Sequence, residues 1–185
     1  MAWRSSFGER LHVERESPLA VTLVQAISTG ERMDATIEKA VELGVAAIRP
    51  VVSARTQGRL DPARAQVKLA HWRRIAIAAC EQCGRNRLPP IEPPSSLAES
   101  LLRLPERSLK LLLSPRGERR LRDALVPGAC EIVLACGPEG GFDEAEEALL
   151  RSAGFVAVRL GPRVLRTETA APAALAALNA LAGDF

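Results

Sequence analysis

The amino-acid sequence predicts an α/β fold with a mainly parallel sheet flanked by helices. Apolar runs typical of strands alternate with segments of helical periodicity along most of the 185 residues. Apolar residues make up 47% of the chain and charged residues 25%, which is enough to form a core. Aromatic residues make up only 3%, so this core must be aliphatic.

The predicted elements alternate regularly from residue 19 onward. In order they are a strand over 19–26, a helix over 31–43, a strand over 45–52, a helix from 61 to about 82, a loop over 83–96, a short helix over 97–104, a strand over 109–113, a short helix over 117–125, a strand over 131–136, a helix from 143 to near 154, a strand over 155–160, a loop over 161–169 and a helix over 170–181.

Several element ends carry specific signals. Gly44 is placed to end the first helix, because glycine adopts the left-handed conformation readily. Asp61 and Pro62 are the residue types preferred at the N-cap and first helical positions. Asp143 and Glu146 have the spacing of a capping box, which predicts a helix start there.

Composition excludes several classes of protein. Four cysteines are too few for a disulfide framework and indicate a reducing compartment. No uncharged run is long enough to span a membrane, and the N-terminus lacks the apolar region of a signal peptide, so we expect a cytoplasmic protein. Cys80 and Cys83 have no second pair, and neither His12 nor His71 lies in a ligand or nucleophile pattern. We therefore expect no metal site and no Ser-His-Asp chemistry.

The net charge of +3 hides a basic middle region. Residues 55–122 carry 15 lysines and arginines against 6 acidic residues, a local +9, and the remainder carries 10 against 16, a local −6. This pattern indicates either a polyanion partner or ordinary solvated helix faces. Arg85 and Arg87 could contact phosphates and Asn86 a base edge, or the segment could be a charged helix end.

The segment 137–141, Gly-Pro-Glu-Gly-Gly, directly follows a predicted buried strand. Ligands of parallel sheets bind at the carboxyl ends of strands, so the position indicates a site. The glycines are not followed by Lys-Ser/Thr, and their spacing does not match a dinucleotide fingerprint. Acidic residues around Glu139 would repel a pyrophosphate and favour a neutral or positively charged ligand. The alternative is a tight turn before a well-capped helix.

The segment 160–170 follows the next predicted strand and is rich in functional groups. It contains two arginines, two threonines and one glutamate. Thr167 or Thr169 is expected to cap the helix that follows. Two polar loops at neighbouring strand ends predict a binding cleft between them.

Four segments together are similar to the RsmE family, whose members methylate N3 of a uridine in small-subunit (16S) ribosomal RNA. They are ERMDATIEKAVELGVAAIRPVVSART, WRRIAIAACEQCGRNRLPPI, GPEGGF and LGPRVLRTETAAPAALAAL. The resemblance covers about residues 18 to 183. It implies the SPOUT superfamily, in which a C-terminal segment forms a deep trefoil knot, with S-adenosylmethionine as cofactor, a homodimer, and 16S rRNA within the small subunit as substrate.

The resemblance also implies roles for individual residues. The cofactor-binding residues it implies are Gly137, Pro138, Glu139, Gly140, Gly141, Leu160, Gly161, Arg163, Leu165, Arg166 and Thr169. For RNA binding the resemblance implies Arg85, Asn86 and Arg166, and the basic segment adds Arg87 as a further candidate. Arg166 is the first candidate to stabilise charge on the uracil carbonyls, and Glu139, Glu168 and Glu81 are candidate bases because no suitable histidine is present.

The same resemblance sets the expected domain organisation. Residues 18–185 are expected to form the SPOUT methyltransferase domain. Residues 1–17 are expected to be an N-terminal tail, the remnant of a PUA-like barrel that RsmE proteins carry. Cys83 stands where a small residue such as serine is expected. The alternatives are a SPOUT enzyme that acts on another RNA or on a ribose 2′-hydroxyl, and a non-catalytic RNA-binding module for ribosome assembly.

Overall fold

A computed structural model of the chain describes residues 14–56 and 60–185. Its elements are β1 (Ala20–Ala26), α1 (Gly30–Glu42), β2 (Ala47–Val52), α2 (Pro62–Cys83), β3 (Ser95–Ser96), α3 (Leu97–Leu101), β4 (Leu109–Leu113), β5 (Arg119–Arg120), α4 (Leu121–Ala124), β6 (Glu131–Cys136), α5 (Glu144–Ser152), β7 (Val156–Arg159) and α6 (Thr167–Ala182). Of the predicted tail 1–17, residues 1–13 lie outside the described part.

The strands form one seven-stranded sheet in the order β3-β2-β1-β6-β4-β7-β5. Every pair is parallel, which confirms the predicted sheet. The central strand β6 pairs with β1 on one side and β4 on the other. The carboxyl ends of β4, β6 and β7 therefore lie side by side at one edge of the sheet. The trefoil knot stays a prediction.

Helices cover both faces of the sheet and enclose a core that is mainly aliphatic, with Trp72, Phe142 and Phe155 also buried in it. On one face Ile37 of α1, Trp72 of α2 and Leu175 of α6 are almost fully buried in one apolar cluster. On the other face Phe142 and Leu150 pack with α3 residues in a second cluster. Among the described residues, no helix has both the length and the apolar character needed to cross a bilayer.

The predicted helix boundaries are confirmed where local capping signals set them. The Asp61 side chain accepts a hydrogen bond of 2.9 Å from the backbone N–H of Arg64 at the start of α2. Asp143 and Glu146 form the complete capping box of α5, with bonds of 2.8 and 3.0 Å between side chains and backbone N–H groups. Gly44 follows α1 with a φ of +78°.

Three predicted segments differ from the structure. The loop expected over 83–96 ends in the short strand β3, because Ser95 and Ser96 pair with the end of β2. The single helix expected over 117–125 is the short strand β5 followed by one turn, α4, because Arg119 and Arg120 pair with β7 and form the edge strand of the sheet. The last helix begins at Thr167 rather than residue 170, and its N-cap is Arg166. The prediction that a threonine caps this helix is therefore wrong. The Thr167 hydroxyl is buried and bonds to the end of β6 instead.

Candidate cofactor cleft

The loops that follow β4, β6 and β7 enclose a cleft of about 400 Å³. Its position follows from the parallel sheet, since the carboxyl ends of three adjacent strands must deliver their loops to one place. Binding sites for small organic ligands commonly have volumes of roughly 300–1,000 Å³. The cleft is therefore large enough for a small-molecule cofactor.

The floor of the cleft is the glycine loop, residues 137–141. A Cβ atom on Gly137 would lie 2.8 Å from the Phe142 nitrogen and 2.9 Å from the Gly141 Cα, so no side chain fits there. Gly141 has a φ of +71°, in the left-handed region that glycine tolerates. The chain folds back on itself here and presents backbone to the cleft.

Glu139 is the charged residue of the glycine loop. Its Oε1 accepts hydrogen bonds from the Thr29 backbone N–H (3.0 Å) and hydroxyl (2.7 Å), and it lies 3.1 Å from Arg32 Nη1. Partial burial opposes ionisation, but the bonds from Thr29 and Arg32 outweigh it and lower the pKa of Glu139 to about 2. Glu139 is therefore a fixed anion beside the cleft and a weak proton acceptor.

The glycine loop and the start of α6 are joined inside the protein. The Thr167 hydroxyl donates to the Gly137 carbonyl at 2.9 Å. The fully buried Gln25 amide donates to the same hydroxyl at 3.2 Å and to the Ala26 carbonyl at 2.9 Å. The two loops predicted to form a cleft are thus connected through the end of β1.

The structure brings together most of the predicted cofactor-binding residues. The nine that line the cleft are Gly137, Pro138, Glu139, Gly140, Gly141, Leu160, Gly161, Arg163 and Leu165. Arg166 and Thr169 are exposed at the start of α6, outside the cleft lining. Glu168 is half-buried beside them, with Oε1 3.8 Å from Arg32 Nε and Oε2 buried without a partner among the described residues.

Residues 114–116, which follow β4, also line the cleft, and the sequence analysis did not predict them. Glu147 Oε1 accepts hydrogen bonds from the Ser114 hydroxyl at 3.4 Å and from Arg116 Nη2 at 3.2 Å, and all three residues line the cleft. The rule that located the glycine loop would also have pointed to residues 114–116, because they directly follow a strand. Arg55 also lines the cleft. No sequence pattern predicted the positions of Glu147 and Arg55, because these positions depend on tertiary packing.

The predicted RNA-binding residues 85–87 lie elsewhere, at the amino ends of the strands. Arg85 has only 4% of its side chain exposed, and it donates to the carbonyls of Val41 (2.9 Å) and Val45 (3.1 Å). Both Nε and Nη2 of Arg85 also bond to the carboxylate of Glu16. These contacts hold the start of β1, the end of α1 and the end of α2 together.

Arg87 differs from Arg85 in being exposed. Its side chain is 70% accessible and forms a surface ion pair with Glu14. Asn86 lies between them in the same turn. The 85–87 turn and the cleft are therefore at opposite ends of the sheet.

Cys80 and Cys83 lie in the last turns of α2, with Cys80 buried and both thiols free. Burial raises the pKa of the Cys80 thiol. Within residues 14–56 and 60–185, no three histidine, cysteine or acidic side chains converge on one point as metal ligands would.

Together, the parallel sheet and the glycine-lined cleft at its carboxyl edge define a small-molecule-binding α/β domain. A family model described as an RNA methyltransferase domain matches residues 15–179. Among proteins of known function, ribosomal RNA small subunit methyltransferase E of Buchnera aphidicola (subsp. Schizaphis graminum) is 38% identical over 92% of this chain and 69% of its own. The chain belongs to this family of ribosomal RNA methyltransferases, as its motifs predicted.

Solved structures agree with this assignment. The chain is 49% identical to a ribosomal RNA small subunit methyltransferase E from Neisseria gonorrhoeae bound to S-adenosylmethionine, with a TM-score of 0.90 over 94% of this chain and 72% of that one. It is 45% identical to a methyltransferase from Legionella pneumophila in complex with the same cofactor, with a TM-score of 0.89 over 95% and 72% of the two chains.

Proposed function

We propose that this protein transfers a methyl group from S-adenosylmethionine to N3 of a uridine in the 16S rRNA of the small ribosomal subunit. The observation that carries the proposal is the gathering of nine predicted cofactor-binding residues into one cleft. The names and bound cofactor of the similar proteins support the same conclusion. Such a modification takes place in the cytoplasm.

The residues of the cleft fit S-adenosylmethionine. Gly140 and Gly141 leave backbone accessible where a ligand needs close approach, and Leu160 and Leu165 supply apolar surface for an adenine ring. The anionic Glu139 suits a ligand that carries a sulfonium and an ammonium group, and it would repel a phosphate. When bound, the cofactor supplies an electrophilic methyl group.

The protein must help the uracil lose its N3 proton. A bond from N3 to the methyl carbon forms as the carbon–sulfur bond breaks, and the N3 proton leaves to a base or to water. Glu168 is the proposed acceptor, because its Oε2 has no partner among the described residues. Arg166, exposed beside it, is proposed to stabilise negative charge on the uracil carbonyls. The low pKa of Glu139 fits cofactor binding better than proton transfer.

The remaining base candidate, Glu81, lies in the last turn of α2. This position is at the amino edge of the sheet, away from the cleft. We therefore assign Glu81 no role in the methyl transfer. Arg87 and Asn86 are proposed to contact RNA from that edge, and Arg85 to hold their turn in place through its buried bonds.

A homodimer is part of the proposal, and α6 supports it. This helix is almost entirely apolar, yet only one side of it is buried against α1 and the sheet. Helices that are apolar all round are usually buried all round. Ala173 and Ala176 remain half-exposed, and a second copy of the chain would cover them. Residues 18–185, with the predicted knot, are proposed as the catalytic domain.

The deciding experiment maps the product. Small subunits that lack the modification are incubated with the purified protein and labelled S-adenosylmethionine, and the rRNA is digested and analysed by mass spectrometry. We expect 3-methyluridine at one position, and we expect Arg166→Ala to abolish it while cofactor affinity stays within a small factor. A ribose methyl, or methylation only of another RNA, would refute the proposed target. Failure to bind millimolar cofactor would favour a non-catalytic RNA-binding module.

A further inference from the structure

The turn at residues 53–56 reaches the cofactor cleft from a distant part of the sheet. It follows β2, which is separated from the cleft strand β6 by β1. From this turn, Arg55 Nη1 donates a hydrogen bond to the Gly140 carbonyl of the glycine loop. The aliphatic part of Arg55 lies against the same residue, since a Cβ atom on Gly140 would be 3.0 Å from Arg55 Cδ. Arg55 therefore contacts the glycine loop both by hydrogen bond and by packing.

The turn that carries Arg55 is itself closed by local hydrogen bonds. The Ser53 backbone N–H donates to the Thr56 hydroxyl at 2.9 Å, and the Thr56 N–H donates to the Ser53 carbonyl at 3.0 Å. The two hydroxyls lie 3.0 Å apart. The base of the Arg55 side chain thus has a defined position before any ligand binds.

Glu146 joins this turn to the segment that follows the glycine loop. Its Oε1 accepts from the Ala54 N–H at 2.8 Å, and its Oε2 accepts from the Asp143 N–H at 3.0 Å. One carboxylate therefore caps α5 and holds the turn at the same time. As a result, the turn, the glycine loop and the start of α5 are connected as a closed ring of contacts.

The glycine loop needs such external support. Three of its five residues are glycine, which loses more conformational freedom on ordering than any other residue. The loop contributes only one charged side chain, Glu139, and that anchors the side facing Thr29. Arg55 anchors the other side. Within the described residues Arg55 has no ion pair, so the Gly140 carbonyl is the one acceptor that the structure gives it there.

We propose that Arg55 is a positioning residue, which holds the glycine loop in the shape that receives S-adenosylmethionine before the cofactor arrives. This inference rests on the proposed function. Without Arg55 the loop becomes ordered only when the cofactor binds, so the free energy cost of ordering it weakens the observed binding. The expected result is weaker cofactor binding with an unchanged methyl-transfer step.

The test compares Arg55→Ala, Gly140→Ala and the double variant with the wild type by calorimetric titration of S-adenosylmethionine. A hydrogen bond from a charged donor corresponds to roughly a tenfold to hundredfold change in affinity. We expect Arg55→Ala to weaken binding by about this factor. Gly140→Ala displaces the Arg55 side chain, so the two effects should be less than additive in the double variant. Arg64→Ala, which removes an arginine from the nearby surface of α2, should bind the cofactor like the wild type.

Steady-state kinetics separate positioning from other roles. In Arg55→Ala we expect a raised KM for the cofactor, with kcat recovered at saturating cofactor and a melting temperature close to that of the wild type. A normal cofactor affinity, a lowered kcat or additive effects in the double variant would overturn the inference. These outcomes differ from failure of the proposed function, because in that case the wild type itself would not bind the cofactor or methylate rRNA.

Discussion

The substitution Glu16→Gln tests whether the buried ion pair at the amino edge of the sheet is a main support of the domain. Arg85 is almost fully buried, and its only charged partner in the described structure is the Glu16 carboxylate, which is itself 20% exposed. Two carbonyls, of Val41 and Val45, accept its remaining hydrogen bonds. Glutamine keeps the size of the side chain and one acceptor but removes the charge.

The size of the effect follows from this geometry. Removing one partner of a fully buried ion pair costs about 3–5 kcal/mol. The two carbonyls still bond to Arg85, and Glu16 is partly hydrated, so we expect a loss of about 2–3 kcal/mol in the free energy of unfolding. For a chain of this length 1 kcal/mol shifts the melting temperature by about 2–4 °C, so the midpoint should fall by roughly 4–12 °C.

Glu14→Gln is the matched control. It removes the same charge two residues away, but the partner Arg87 is 70% exposed and Glu14 is 50% exposed. Pairs of this kind contribute about 0–1 kcal/mol. The assay is urea and thermal denaturation followed by circular dichroism, with both variants measured beside the wild type. Equal midpoints for the two variants would refute the view that Arg85 acts through its buried contacts.

Three further predictions concern the cleft. Gly137→Ala should abolish measurable cofactor binding in calorimetry, because its Cβ would lie 2.8 Å from the Phe142 nitrogen; binding within threefold of the wild type would contradict this. Thr167→Val should lower the free energy of unfolding by about 1–3 kcal/mol, since it leaves buried partners unsatisfied, whereas the exposed Thr169→Val should change it little; urea denaturation compares the two. The pKa of Glu139 is lowered to about 2, below its unfolded value, so its contribution is present above pH 5 and is lost only as the pH falls toward 2. Glu139 therefore stays ionised from pH 6 to 9. Over this range, cofactor affinity should have the same pH dependence in the wild type and in Glu139→Gln.

The sequence was sufficient to predict features that depend on residues close together in the chain. The capping box of Asp143 and Glu146 and the N-cap at Asp61 are local, and the structure confirms both. The glycine loop was located because a buried strand precedes it and parallel strands deliver their loops to one edge. Nine of the residues that the family motifs pointed to line one cleft, and their role in cofactor binding stays a prediction.

The remaining features depend on contacts between residues far apart in the chain. Glu146 was predicted only as a capping residue, and its second bond, to Ala54, joins segments 92 residues apart. Arg85 was predicted to face RNA, and burial of its guanidinium depends on Glu16, 69 residues earlier. Contacts between residues so far apart in the chain cannot be predicted from the spacing of residue types or from composition. Thr167 shows the same limit, since a threonine near a helix start is usually a cap and here bonds across to Gly137.

The separation between the cleft and the 85–87 turn has a consequence for the size of the RNA that this domain can recognise. The helix α2 runs from one edge of the sheet to the other, and its 22 residues span about 33 Å. A uridine in the cleft and a phosphate held by Arg87 of the same subunit would therefore belong to well-separated parts of a folded RNA. A short oligonucleotide that contains only the target uridine can reach one of these points but not both. This distance would then favour the folded subunit over a short RNA, in addition to any contact that Asn86 makes with a base.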